Sequence, residues 1–246
     1  MSEKVAKGIP KRGLEGAISK LFTRAASVTE LRDLAPDFRL VTLQGQALCK
    51  VTWTPGQKVQ LLLGGWVQRT YTPLAWDAEH GSTTLLAYMH GDGPGAVWAR
   101  QLAVGDACAI FGPRGSLDLT AIERPALLFG DETSFGLAHA LRFTPCSADG
   151  VHLLLEVSSA AHASTVLAEI GVQGAQLIER KPDDTHIGEV QELAAQLLQT
   201  RAIRAGVLSG KATSIQRLSK QLRQLGISRG RLQTKAYWAP GKAGLD

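Results

Sequence analysis

A four-residue stretch of the sequence combines side chains that could bind a phosphorylated heterocycle. In a strand, Arg69 and Tyr71 would share one face, while Thr70 and Thr72 would share the other. A guanidinium binds a phosphate through paired hydrogen bonds, an aromatic ring packs on a flat heterocycle, and a hydroxyl can bond to a ring nitrogen. The stretch therefore fits a flavin nucleotide lying along a strand. By itself it is also typical of an ordinary barrel strand with an exposed arginine.

A second stretch, from His90 to Ala99, is rich in glycine and precedes a predicted helix. Gly93 and Gly95 free the backbone, and Pro94 stands in the first turn of the predicted helix. Exposed amides at a helix N-terminus, together with the helix dipole, favour a pyrophosphate. Alone, this pattern is more typical of an ordinary glycine-rich loop that enters a helix. Further along, residues 112–116 (Gly-Pro-Arg-Gly-Ser) predict a tight loop at the end of the strand-rich half.

The elements that must position these stretches change character midway along the chain. The first half contains short segments rich in Val, Leu, Thr and Tyr, separated by Gly and Pro, which predicts a small antiparallel Greek-key β-barrel. The second half alternates apolar strands with helix-like stretches, which predicts an α/β domain with a parallel sheet covered on both faces. We therefore expect a barrel domain over residues 1–122 and an α/β domain over residues 123–246.

The boundaries of individual elements can also be predicted. In the first half we expect one helix, over residues 96–102, and strands over residues 38–43, 58–63, 68–72, 83–90 and 107–111. In the second half we expect strands over residues 126–129, 151–157, 176–178, 205–208 and 231–237. The first helix of that half is expected to end at residue 141. Three further helices are expected over residues 160–170, 189–199 and 213–225.

Composition excludes several classes of protein. With 44% hydrophobic and 20% charged residues among 246, the chain is neither disordered nor a disulfide mini-protein. The excess of 27 basic over 22 acidic residues is mild, and its two clusters, near the N-terminus and between Arg201 and Lys242, are more typical of solvated faces than of a nucleic-acid patch. No apolar run approaches the ~20 residues of a membrane-spanning helix, and the first twenty residues lack the apolar block of a signal peptide. We therefore expect a cytoplasmic protein that binds neither nucleic acid nor membrane, and we expect a monomer.

Other site chemistries are not favoured. The three cysteines, Cys49, Cys108 and Cys146, are odd in number and far apart, which indicates reduced thiols. The six histidines show no spacing typical of zinc ligands. The α/β half contains no G-x-G-x-x-G fingerprint, so a standard dinucleotide motif is absent.

Taken together, the motifs resemble the siderophore-interacting proteins, which are FAD-dependent ferric-siderophore reductases of the ferredoxin-reductase-like superfamily. The resemblance runs from about Ala25 to Gly241 and depends on the joint order and distances of the motifs rather than on any one of them. The matching residues are Arg69-x-Tyr71-Thr72, His90-Gly91-x-Gly93-Pro94-Gly95-Ala96-x-Trp98-Ala99, Gly105-Asp106, Gly112-Pro113-Arg114-Gly115, Gly130-Asp131-Glu132-Thr133 and Tyr237-Trp238-x-x-Gly241.

The resemblance implies roles for these residues and two cofactors, FAD and either NADPH or NADH. The implied FAD-binding residues are Arg69, Tyr71, Thr72, His90, Gly93, Pro94, Gly95 and Ala96, with Trp238 beside the flavin. Asp131 and Thr133 are implied to face the nicotinamide coenzyme. The sequence departs from the family pattern at two places. The helix-opening turn lacks a hydroxyl, because it contains Gly95 and Ala96. Lys211 replaces an acid, and its charge would favour the phosphate of NADPH.

The resemblance also implies a ferric siderophore as substrate, reduced one electron at a time to release Fe(II). Because many such chelates are anionic, we expect basic residues around the site, and Lys235, Lys242, Arg114 and Lys58 are the candidates. Two alternatives remain open. One is a flavoprotein electron-transfer module that draws electrons from a ferredoxin, and the other is a general flavin reductase with a different acceptor.

Overall fold

The computed structural model describes residues 23–64, 67–142 and 150–241. Its first half is a seven-stranded sheet in which every ladder is antiparallel. Its strands are β1 Thr23–Ala35, β2 Phe38–Gln44, β3 Lys58–Gly64, β4 Val67–Tyr71, β5 Ala75–Asp77, β6 Ser82–Tyr88 and β7 Ala107–Arg114. Helix α1, Pro94–Gln101, connects β6 to β7, and a short 3-10 turn spans Gln46–Leu48.

The strand order β4-β3-β7-β1-β2-β6-β5 requires crossover connections, as a Greek-key barrel does. Strand β6 shows why this half folds as a sheet, since its residues alternate between buried and half-buried along the whole strand. Among the described residues no ladder joins the edge strands β4 and β5, although β4 contacts β6. The predicted barrel is therefore curved but not closed by hydrogen bonds.

The second half is a parallel sheet with the strand order β10-β9-β8-β11-β12. Its strands are β8 Ala126–Gly130, β9 Val151–Val157, β10 Gln176–Glu179, β11 Ala205–Lys211 and β12 Leu232–Trp238. Its helices are α2 Phe135–Arg142, α3 Ala160–Glu169, α4 His186–Arg201 and α5 Ala212–Gln224. Strands β8 and β11 are buried at every position, because helices cover both faces of the sheet.

The predicted fold class, an antiparallel barrel followed by a parallel α/β unit, is confirmed. Each strand and helix expected from the sequence is present within a few residues of its predicted bounds. Strands β1 and β5 were not predicted, and the sequence from residue 112 to Arg114 continues β7 instead of forming a loop. None of the helices in the described part of the chain has the length and apolar composition that a membrane-spanning helix requires.

The two halves pack directly against each other. One hydrophobic core contains Phe38 of β2 together with residues of β8, β9, α2 and α3. The ring of Phe38 lies 5.5 Å from that of Phe135 and 4.8 Å from that of Tyr88, and both contacts are stacked. The carboxyl ends of β8, β11 and β12 therefore face the barrel beside β4 and the end of β6, and this is where the candidate site forms.

Candidate functional site

A cavity of about 440 Å³ lies between the barrel and the carboxyl edge of the parallel sheet. This volume is within the range of about 300–1,000 Å³ typical of ligand sites. Its wall comes from β4, the end of β6, the first turn of α1, the turn after β8 and the end of β12. Nine of the eleven predicted cofactor residues line it: Arg69, Tyr71, Thr72, His90, Gly93, Gly95, Ala96, Thr133 and Trp238.

Strand β4 places Arg69 and Tyr71 against the start of α1, as the alternation of its side chains predicts. A Cβ atom added to Gly95 would lie 3.2 Å from Cγ of Arg69 and 3.6 Å from the hydroxyl of Tyr71. Glycine at position 95 therefore lets both side chains lie against the helix backbone, and a hydroxyl-bearing residue would crowd them. Burial raises the pKa of Tyr71, so its phenol is neutral at physiological pH.

Helix α1 begins two residues earlier than predicted and opens toward the cavity. Gly93 is its N-cap and offers no side-chain cap, while Pro94 occupies the first helical position. The first-turn amides of Gly95 and Ala96 are thus not satisfied by a capping side chain. Uncapped amides with an arginine beside them form a donor set suited to a pyrophosphate. These residues consequently fit FAD, although Pro94 itself is not part of the cavity wall.

Thr72, at the end of β4, contacts both α2 and β12. A Cβ atom on Gly136 would lie 2.7 Å from the carbonyl oxygen of Thr72, so glycine is needed for this close approach of two backbones. The side chain of Thr72 is hydrogen-bonded to Tyr237. Burial raises the pKa of Tyr237 to about 12, and its phenol therefore remains protonated in the cavity wall.

Tyr88 lines the cavity and packs against other aromatic rings there, although it was not predicted as a site residue. Its ring stacks on that of His90 with centroids 4.5 Å apart, and His90 in turn lies 6.4 Å from Trp238. Tyr88 and Leu86 both line the cavity because they are on the face of β6 opposite the barrel core. That alternation was the sequence signal that could have identified them.

Glu132 also lines the cavity, and the sequence placed it only as part of the loop over residues 131–133 that the resemblance implies to face the nicotinamide coenzyme. Arg180 donates to both of its carboxylate oxygens, at 2.7 and 2.8 Å, the amide of Ser158 donates at 2.6 Å, and the hydroxyl of Tyr88 donates at 3.1 Å. Burial alone would raise the pKa of Glu132, but the hydrogen bonds and charge of Arg180 outweigh it and hold the pKa below its ordinary value. Glu132 therefore links the barrel to the ends of two sheet strands.

Tyr237 and Trp238 both reach the cavity although they are adjacent in a strand. The pairing of β11 with β12 shifts register between Gly210 and Lys211, so that Gly210 pairs with Ala236 and Lys211 with Trp238. This irregularity inserts one extra residue and breaks the simple alternation of faces. The sequence contained the aromatic pair but not the register shift.

Asp131 is buried and lies outside the cavity wall, whereas the sequence led us to expect it to face the nicotinamide coenzyme. It accepts a hydrogen bond of 2.7 Å from the indole Nε1 of Trp238 and caps the turn that follows β8. Lys211 is likewise buried, with its ammonium 2.6 Å from Asp184. The ammonium that we expected to favour a coenzyme phosphate is therefore held in an ion pair.

The three predicted substrate residues that the structure describes do not line the cavity. Lys58 and Arg114 pair in register across β3 and β7, and Arg114 donates to Gln60 and stacks over the ring of Phe111. Lys235 is half-buried on β12 and is not part of the cavity wall. Lys242 lies outside the described residues.

Part of the chain matches a known protein family. Residues 65–117, which include β4, β6 and α1, match the family described as the siderophore-interacting FAD-binding domain. The resemblance expected from the sequence motifs is thereby confirmed.

The whole fold is similar to several solved structures. The chain is 22% identical to a siderophore utilization protein from T. fusca, with 91% of this chain and 95% of that one covered and a TM-score of 0.70. It is 21% identical to the siderophore-interacting protein SipS from Aeromonas hydrophila, with 89% and 92% covered and a TM-score of 0.70. A ferredoxin reductase of carbazole 1,9a-dioxygenase is 17% identical, with 88% and 69% covered and a TM-score of 0.67. The chain thus has a ferredoxin-reductase-like fold.

We predict that Arg69→Ala weakens FAD binding. Loss of a charge-assisted hydrogen bond to phosphate costs roughly 1.5–3 kcal/mol, which corresponds to about a ten- to hundredfold rise in Kd. Flavin fluorescence titration of the apoprotein measures this constant. Arg32→Ala is the control, because Arg32 forms only an exposed ion pair with Glu169 and should leave Kd unchanged. Equal Kd values for the two variants would show that Arg69 does not bind the phosphate of FAD.

We also predict that Glu132→Ala destabilises the fold much more than Glu169→Ala. The side chain of Glu132 is 3% exposed and that of Glu169 46%. Breaking a buried pair costs about 3–5 kcal/mol, and breaking an exposed pair costs about 1 kcal/mol or less. Urea unfolding at pH 7 measures both variants against the wild-type protein. Because the folded pKa of Glu132 is lowered, its contribution is complete above the ordinary value of ~4.3 and is lost as the pH falls below it. Similar losses of stability for both variants would contradict this account of the Glu132 contacts.

Proposed function

We propose that this protein is an FAD-dependent reductase that transfers electrons from NADH or NADPH to the iron of a ferric siderophore. The observation that carries the proposal is the cavity, because it joins the phosphate-binding donors of β4 and α1 to the carboxyl edge of the parallel sheet. The match of residues 65–117 to the siderophore-interacting FAD-binding domain supports the flavin and the substrate class. We also propose that residues 1–122 form the flavin domain and residues 123–246 the nicotinamide domain.

The proposed roles of the barrel residues follow from their positions. Arg69 and the first-turn amides of Gly95 and Ala96 would bind the phosphates of FAD. Tyr71 would pack along the flavin, and Thr72 would offer a hydroxyl at the end of the same strand. Glycine at position 95 keeps this part of the cavity open for a close approach of the cofactor to the helix backbone.

The sheet residues would complete the site from the other side. Thr133 and Glu132 lie in the turn that follows β8, where ligands of parallel sheets bind, and we propose that the nicotinamide enters here. The indole of Trp238 would cover the flavin at this edge and exclude water from it. No general acid or base is required among these residues, because hydride and electron transfer need contact and orientation.

What FAD supplies when bound is the conversion of a two-electron hydride into single-electron transfers. One NAD(P)H and two ferric ions give one NAD(P)⁺, one proton and two ferrous ions, so that charge and electrons balance. Anionic oxygen donors attract Fe(II) less strongly than Fe(III) because its charge is lower. Reduction therefore releases the metal and leaves the chelator intact.

We predict that the FAD-loaded protein reduces ferric siderophores with NADH or NADPH under anaerobic conditions. A chromogenic ferrous chelator measures the Fe(II) formed, and absorbance at the nicotinamide band measures the donor consumed. The balance of electrons requires two ferrous ions per donor oxidised. Flavin that is reduced by a ferredoxin but by neither nicotinamide would support the electron-transfer module instead. Oxidation of NAD(P)H with other acceptors but with no ferric chelate would support a general flavin reductase.

A further inference from the structure

Among the described residues, three turns have an aspartate that accepts hydrogen bonds from the threonine two residues later. In each turn one carboxylate oxygen accepts from both the backbone amide and the hydroxyl of that threonine. The pairs are Asp118 with Thr120, Asp131 with Thr133, and Asp183 with Thr185. Asp118 and Asp183 are exposed, whereas Asp131 is 1% exposed. A local turn therefore does not explain why the middle aspartate is buried.

The burial of Asp131 is explained by a contact with the last strand of the sheet. While Oδ1 caps its own turn, Oδ2 accepts the hydrogen bond from the indole of Trp238, 107 residues away. The backbone of β11 packs closely around this carboxylate, since a Cβ atom on Gly210 would lie 2.4 Å from Oδ2. Gly210 also has a φ of +101°, which favours glycine. The fold is thus built to keep a carboxylate at the edge of this indole.

The face of the same indole has a second contact. The ammonium of Lys211 lies 5.8 Å from the centroid of the Trp238 ring, a distance at which cation and ring attract each other. Lys211 is itself held by Asp184, at 2.6 Å. One charged group therefore fixes the edge of the ring and another fixes its face, and together they set its orientation.

We propose that Asp131 is a positioning residue that acts on the reaction by orienting Trp238, and that it does not contact the nicotinamide coenzyme. The effect on the reaction rests on the proposed function, in which Trp238 covers the flavin. Trp238 lines the cavity and Asp131 does not. Asp131 would therefore affect a bound ligand only through its hydrogen bond to the indole of Trp238. The orientation of Trp238 itself is a property of the protein without any ligand.

The hydrogen bond between Asp131 and Trp238 can also be changed by pH, because Asp131 is ionisable. Burial raises the pKa of Asp131 to about 6, against the lowering effects of the hydrogen bonds from Thr133 and Trp238. The other groups that face it are Glu132 in its own turn, Tyr237 on β12 and Arg180 after β10. Lys211 lies beyond the indole on β11. As the pH falls through this value the carboxylate becomes neutral and accepts more weakly from the indole.

The experiment is an NMR measurement of the indole N–H signals in the ¹⁵N-tryptophan-labelled apoprotein. Trp238→Phe identifies the signal of Trp238 by its loss. We expect Asp131→Asn to move that signal upfield, because a neutral acceptor binds the indole more weakly. Asp118→Asn, which changes the same kind of turn at an exposed position, should leave it in place. In the wild-type protein the signal should move upfield as the pH falls, with a midpoint near the pKa of about 6.

An indole signal that responds neither to Asp131→Asn nor to pH would overturn the proposal. If the variant does not fold, the pH titration decides, and it is repeated in His90→Gln because the imidazole of His90 lies 6.4 Å from the Trp238 ring and its pKa is lowered from the usual 6.5 by burial. A shift that disappears in His90→Gln belongs to His90 and overturns the proposal. Because FAD is absent from this measurement, its result does not depend on the proposed function. A protein that binds no FAD but shows the titrating indole would contradict the proposed function and leave the Asp131–Trp238 contact established.

A double-mutant cycle tests the effect on the reaction. The rate constant of flavin reduction by NAD(P)H is measured by stopped flow for Asp131→Asn, Trp238→Phe and the double variant. We expect Asp131→Asn to slow reduction about fivefold in the wild-type background, the size of one hydrogen bond of ~1 kcal/mol. In the Trp238→Phe background it should have no effect, since the indole through which it acts is gone. The same fivefold loss in both backgrounds would indicate a direct contact with the coenzyme and would overturn the proposal.

Discussion

The structure depends on a buried carboxylate at the junction of its two halves. Glu132 accepts hydrogen bonds from Tyr88 of the barrel, from the backbone after β9 and from Arg180 after β10. A buried charge is tolerated only when its hydrogen-bonding capacity is satisfied, so the loss of any one of these three partners is expected to destabilise the fold. Their meeting holds the barrel against the carboxyl edge of the parallel sheet. The cavity is the space that remains beside this junction.

The cavity needs both the barrel and the parallel sheet, because each supplies only part of its wall. The barrel supplies an arginine, an aromatic ring and an uncapped helix N-terminus, which suit a phosphorylated flavin. The parallel sheet supplies the turn after β8 and the aromatic end of β12, at the edge where such sheets bind ligands. A flavin between them can meet a hydride donor on one side and an electron acceptor at the opening. The proposed reductase would therefore need both halves of the chain.

The sequence predicted the fold closely because its periodicity changes so clearly between the two halves. It did not predict β1, where only Ala26 and Val28 are buried in thirteen residues and the apolar pattern is correspondingly weak. At the site, Arg69 and Tyr71 could be predicted because their common face follows from strand alternation alone. The burial of Asp131 and the arrival of both Tyr237 and Trp238 could not, since they depend on a register shift between β11 and β12. The contacts of Glu132 join segments far apart in the chain, which local patterns do not reveal.

We propose that FAD binds in the cavity between the barrel and the parallel sheet. A crystal structure of the protein with FAD tests it most directly. We expect the phosphates beside Arg69 and the first turn of α1, and the flavin ring between Tyr71 and Trp238. FAD bound at any other surface, with this cavity filled only by solvent, would contradict the account.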